Sequence, residues 1–69
     1  MVSKYRNMIL KILSDGKMRS TNEVVKEVEE IGGSITNWHM IYRILAELHN
    51  DGKIEKLQAK IGFFWRKKS

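Results

Sequence analysis

The sequence holds no cysteine and no proline in 69 residues. Without thiols there is no disulfide, no thiolate zinc site and no cysteine nucleophile. With an N-terminus unlike a secretory signal, this points to a cytoplasmic, reducing setting. No apolar run approaches the roughly 20 residues that a membrane-spanning helix needs, so no membrane contact is expected. Histidine is scarce: His39 and His49 have no third metal ligand beside them. There is no glycine-rich phosphate loop, and a single His near Glu47 is not a catalytic constellation. The chain therefore reads as a non-enzyme with no metal or cofactor.

Residues 1–69 fit one domain, near the lower size limit for a core without staples. A chain this short buries only roughly 60% of its unfolded surface. Its expected stability margin is about 3–5 kcal/mol. The formal charge is +5, unevenly spread. Between Lys53 and Ser69 six basic residues face the single acid Glu55, whereas four acids between Glu23 and Glu30 face only Lys26. A basic C-terminal end suits contact with a polyanion, or simply keeps the protein soluble.

The stretch from Ile35 to Ile54 organises the rest. Ile41, Ile44, Leu45 and Leu48 recur at helical spacing and form one apolar stripe. Gly52 ends the run where a helix needs positive φ. The opposite face carries His39, Tyr42, Arg43 and Ala46, with Trp38 at its margin. Such a helix either reads a groove or shows a merely solvated polar face.

Upstream, Ser3–Ser14 reads as a first helix whose stripe is Tyr5, Met8, Ile9, Ile12 and Leu13, closed by Gly16. Lys17–Met18–Arg19 suits a brief edge strand with Met18 inward and the charges outward. Ser20-Thr21-Asn22-Glu23 matches a capping box and starts a second helix with Val24, Val25, Val28 and Ile31 as its stripe. Gly32–Gly33 stops it. Thr36 is the expected N-cap of the third helix, with Ser34 and Asn37 as rivals. After Gly52 the period changes. Ile54–Gln58 and Phe63–Lys67 have strand composition around a turn at Ala59–Gly62. Phe63 and Trp65 share one face, Phe64 and Arg66 the other. The differing parity of Ile54 and Leu57 calls for a bulge or an early strand end.

The expected fold is α+β: three helices packed on a short three-stranded antiparallel sheet, in the order α-β-α-α-β-β. That order, with the phrase MIYRILAELHNDGKI, resembles the winged helix-turn-helix family. The residues carrying the likeness are Ile41-Tyr42-Arg43, Leu45, Leu48, Gly52 and Ile54, and in element order it covers nearly the whole chain. The resemblance implies a third helix, about residues 35–51, in the major groove and a 54–67 hairpin wing along the backbone. Metal-dependent regulators with a similar V-Y-R phrase have a further domain rich in His, Cys and acids, absent from this sequence. The left-handed-DNA-binding branch is similar in compactness and in Trp65. It wants Asn and then Tyr where this chain has Tyr42 and Ala46, so ordinary duplex DNA is the expected partner.

The candidate DNA-contacting residues follow. Arg43 can donate to guanine O6 and N7 or clamp a phosphate. Tyr42 can reach a phosphate or a sugar, and His39 lies near the helix start. Trp38 is either half-buried against the second helix or inserted in a groove. Thr36 and Asn37 lie at the third helix's N-terminus, and Ser20 and Thr21 at the second's, where free amides favour phosphate. Lys17 and Arg19 flank the short strand. Lys60 at the wing tip is the best backbone contact, with Lys56, Arg66, Lys67 and Lys68 adding charge. Phe63, Phe64 and Trp65 offer single-strand stacking, or serve as the lid of a small core.

Three functions fit this reading. The first is a small transcriptional regulator of a prokaryote, archaeon or virus that reads double-stranded DNA. The second is a winged helix used for protein contact, supported by the acidic face Glu23, Glu27 and Glu30. The third is RNA binding. A homodimer or a protein partner would use that acidic face or the first helix. The core is expected to include Ile9, Leu13, Val25, Val28, Ile41, Leu45, Leu48 and Trp65.

Overall fold

The computed structural model describes residues 3–33 and 35–68. The elements run α1 (Ser3–Ile12), a 3-10 turn (Leu13–Asp15), β1 (Arg19–Ser20), α2 (Thr21–Gly32), α3 (Trp38–Asn50), β2 (Ile54–Ala59) and β3 (Gly62–Lys67). The sheet is antiparallel throughout, in the order β1-β3-β2. The architecture is the expected α+β arrangement.

Each helix ends for a local reason. α1 tightens into the 3-10 turn, and Gly16 closes it at φ 78°, its amide donating to the Leu13 carbonyl at 3.1 Å. The predicted capping box is present: the Glu23 amide donates to Ser20 Oγ at 3.2 Å, and the Ser20 amide to Glu23 Oε1 at 3.0 Å. The N-cap of α3 is Asn37, not Thr36, because the Asn37 Oδ1 accepts from the His39 amide at 2.8 Å. Ser34, the other rival, lies outside the described residues.

The core is formed by Ile9, Ile12, Leu13, Val24, Val28, Ile41, Ile44, Leu45, Leu48, Ile54 and Trp65. One member of the expected core moves out. With Thr21 and Val24 facing inward, the face of α2 turned to the other helices runs through Val24 and Val28. Val25 sits at its margin, half-buried, and Ile31 in the last turn is 59% exposed.

The first strand is corrected as well. It comprises Arg19 and Ser20, paired with Trp65 and Phe64, and Met18 precedes it in solvent. A one-residue slip reverses which side chains face inward, so Arg19 turns toward α2 and Met18 does not pack. In the hairpin the six pairs from Ile54↔Lys67 to Ala59↔Gly62 form an unbroken ladder. No bulge is needed: Ile54 faces the core, while Leu57 takes the other face opposite Phe64.

Candidate nucleic-acid interface

The outward ridge of α3 comprises His39, Arg43, Glu47 and Asn50, all exposed and spaced one turn apart. Ala46 lies among them and keeps the ridge low. Asn50 was not singled out from the sequence, although its spacing from Arg43 carries the signal. A depression beside the ridge is lined by Asn37, His39, Met40, Tyr42, Arg43, Ile44 and Glu47.

The chain has four arginines, and three are held by carboxylates. Arg6 on α1 reaches Asp51 at 2.9 Å and Glu47 at 3.7 Å, which ties α1 to the end of α3. Arg19 is bonded to both oxygens of Asp15 at 2.9 Å and to Glu27. Arg66 bonds Glu55 at 2.6 Å on the sheet face away from Trp65. Arg43 has no carboxylate at ion-pairing distance among the described residues. Glu47, its natural partner one turn on, reaches Arg6 instead. Arg43 therefore presents its guanidinium fork to solvent.

Tyr42 does not join the ridge. It turns toward the hairpin, stacked on Trp38 with centroids 5.3 Å apart and edge-on to Trp65 at 5.9 Å. Trp38 takes the half-buried position against α2. Its Nε1 donates to Asn22 Oδ1 at 2.8 Å, and the indole remains 44% exposed. No local sequence signal points to Asn22, which meets Trp38 only across the α2–α3 turn.

On the hairpin, Lys60 stands exposed in the turn. Lys56 lies on the same sheet face as Phe63 and Trp65, with its Nζ 4.3 Å from the Phe63 ring centroid. Arg66 and Lys67 stand at the opposite end of β3, beside Ser14, Asp15 and Gly16. At strand rise, Arg66 is about 17 Å from the wing tip. Lys17 is exposed ahead of β1, its amide donating to Asp15 Oδ1 at 2.9 Å.

The remaining candidates are occupied within the fold. Ser20 Oγ accepts the Glu23 amide, and Thr21 Oγ1, buried, accepts Trp65 Nε1 at 2.8 Å. The Thr36 amide donates to Glu29 Oε2 at 3.0 Å; its buried Oγ1 has no partner among the described residues. The structure thus sets His39 and Arg43 on the outward ridge of α3 just after its N-cap Asn37, and turns Trp38 and Tyr42 toward the hairpin that carries Lys56 and Lys60. It sets Lys17, Arg19 and Arg66 apart from them.

The Arg19 cluster has a consequence for acid stability. The Arg19 guanidinium, aided by the Lys17 amide, holds the Asp15 carboxyl far below its ordinary value of 3.8. Because the folded-state value is depressed, the contribution is complete above the ordinary carboxylate range and is lost as pH falls below about 4. Asp15→Asn is expected to lower the thermal midpoint at neutral pH and to flatten its fall between about pH 4 and pH 2. Parallel midpoint-versus-pH curves for the two proteins would refute the linkage.

Helix, short strand, helix, helix and hairpin with this sheet order define a winged helix-turn-helix domain. Among solved structures the chain is similar to the complex structure of hsRosR-S1, at 26% identity and a TM-score of 0.87. It covers 94% of this chain and 58% of that one. The complex structure of hsRosR-S4 gives 26% identity and a TM-score of 0.86. RosR of H. salinarum grown from NaBr gives 26% and 0.85. The chain spans less than three fifths of the length of these proteins. No family model and no curated protein sequence matches it. Among the described residues no group of three or more His, Cys, Asp or Glu side chains is placed to hold a metal. None of the helices there is long and apolar enough to cross a membrane.

Proposed function

We propose that this domain binds double-stranded DNA as part of a transcriptional regulator, with α3 in the major groove and the β2–β3 hairpin along the backbone. The observation carrying the proposal is Arg43. The chain ties its other three arginines to acids, whereas Arg43, without an ion-pairing carboxylate among the described residues, stands on the outward ridge of α3, one turn after His39. A planar guanidinium fork open to solvent is a group that reads guanine or clamps phosphate. The likeness to the RosR transcription-regulator structures supports the same class.

Two of the three acids that motivate the protein-contact alternative, Glu23 and Glu27, are engaged within the fold. Glu23 caps α2, Glu27 holds Arg19, and Glu29 accepts the Thr36 amide. Of the acids on α2, only Glu30 is left without such a partner among the described residues. Three of the four acids on α2 thus have roles within the fold.

Gel shifts against random duplex, single-stranded DNA and RNA at two salt concentrations test the proposal. Salt-sensitive duplex binding supports it; absence of duplex binding at low salt overturns it. The wing should add affinity without sequence preference. Each lysine on a phosphate contributes about 0.9 to the slope of log affinity against log salt. Lys60→Ala is expected to flatten the slope by about 0.9, and adding Lys56→Ala by up to ~2 in total, on specific and random duplexes alike. An unchanged slope would place the hairpin away from the DNA.

A further inference from the structure

Between the start of α2 and the wing lies a cleft of about 410 Å³ lined by Ser20, Asn22, Trp38, Ile61, Phe63 and Phe64. Its lining contains no acid. Glu23, the nearest acid along α2, is held on the Ser20 amide. Two of the lining residues are exposed although apolar: Trp38, and Ile61 in the hairpin turn, which is 87% exposed. Neither exposure helps folding. The indole of Trp38 is also fixed rather than loose, its N–H on Asn22, one face stacked on Tyr42 at an interplanar angle of 5°, and the His39 ring edge-on with centroids 6.0 Å apart. Beside the cleft, the Lys56 ammonium sits over the ring of Phe63, one of the lining residues, and Lys60 precedes Ile61 in the chain.

We propose that this cleft stacks an unpaired nucleobase on Trp38, giving the domain a single-strand subsite beside its duplex-reading helix. A pre-oriented aromatic plane in an acid-free cleft, with the Lys56 ammonium over one of its lining rings, matches one nucleotide of a strand: the base on the indole, the phosphate toward the lysine. Ile61 closes the side of the cleft formed by the wing. The inference rests on the nucleic-acid reading above, and its test separates the two.

The test compares three probes on the full chain: a single-stranded 20-mer, an abasic strand of equal length, and a duplex. The abasic strand keeps the phosphates and lacks the bases, so the ratio of the first two affinities isolates stacking from charge. The wild type is expected to favour the base-bearing strand by about tenfold, within the range of one base–aromatic stack. Trp38→Ala should abolish that ratio and Trp38→Phe should retain most of it, both variants being checked for folding by circular dichroism. A wild-type ratio near one, or a ratio that survives in folded Trp38→Ala, overturns the inference while leaving the duplex reading standing. Failure to bind any probe overturns both. If Trp38→Ala does not fold, the wild-type ratio and protection of Trp38 fluorescence from iodide by the base-bearing but not the abasic strand decide the matter.

Discussion

Trp65→Ala is expected to unfold most of the domain at moderate temperature. The indole is fully buried, donates to Thr21 Oγ1 at 2.8 Å, and meets Tyr42 edge-on. It is the largest fully buried side chain, and it joins β3 to the start of α2 and to α3. Truncating a buried Trp costs about 3–5 kcal/mol. The whole margin of a domain this size is about the same. A variant that still folds should melt at least ~12 °C lower, from the usual 4–8 °C per kcal/mol for a domain of this length. Thr21→Val provides the graded control. It keeps the shape and leaves the indole N–H buried without an acceptor, at a cost of about 1–3 kcal/mol. Circular dichroism melts of both variants decide the point; a Trp65→Ala midpoint within a few degrees of wild type would refute this account of the core.

The elements that could be read from the sequence are those with a period. Four stripe residues on α3, and four on α1 with Leu13 in the following 3-10 turn, marked two helices, and the change of period after Gly52 revealed the hairpin. Trp65 as the lid of the core was legible because Phe63, Trp65 and the hairpin phase placed it inward. β1 was not. Two residues carry no periodicity, so whether Met18 or Arg19 turned inward depended on pairing with β3, forty-six residues away in the register Arg19↔Trp65. The N-cap of α3 was undetermined for a different reason: Ser34, Thr36 and Asn37 are all competent caps, and only backbone geometry separates the last two.

The site was legible only in part. Spacing places Arg43 and His39 outward, as found, but it treats Tyr42 as their companion. Tyr42 turns aside because Trp38, Phe63 and Trp65 form an aromatic cluster next to it, a tertiary fact that no local window contains. The same holds for the basic residues. Sequence counts Arg19 and Arg66 as free charge, whereas the fold gives them Asp15, Glu27 and Glu55. An arginine's availability depends on where every carboxylate ends up, and that is settled only by the complete packing.

Arg43 is where that availability becomes a measurement. It lies two residues past Ile41 and two before Leu45, both fully buried, so on a helix its side chain points away from the core. With no carboxylate at ion-pairing distance among the described residues, it would meet DNA, in the proposed complex, without first breaking an ion pair. If it reads a base, Arg43→Ala is expected to weaken binding to the preferred site by about 1–3 kcal/mol and to weaken random duplex much less. Stability should stay within about ±0.5 kcal/mol, since the residue is exposed and makes no side-chain bond within the described chain. Lys in its place should recover part of the affinity on random duplex and little of the sequence preference, because an ammonium supplies charge without the bidentate fork. Binding isotherms for both substitutions, on the selected site and on scrambled DNA, separate the outcomes. Equal losses on both DNAs make Arg43 a phosphate contact. A folded Arg43→Ala protein that binds both as the wild type does would remove α3 from the interface and favour a protein partner for this winged helix.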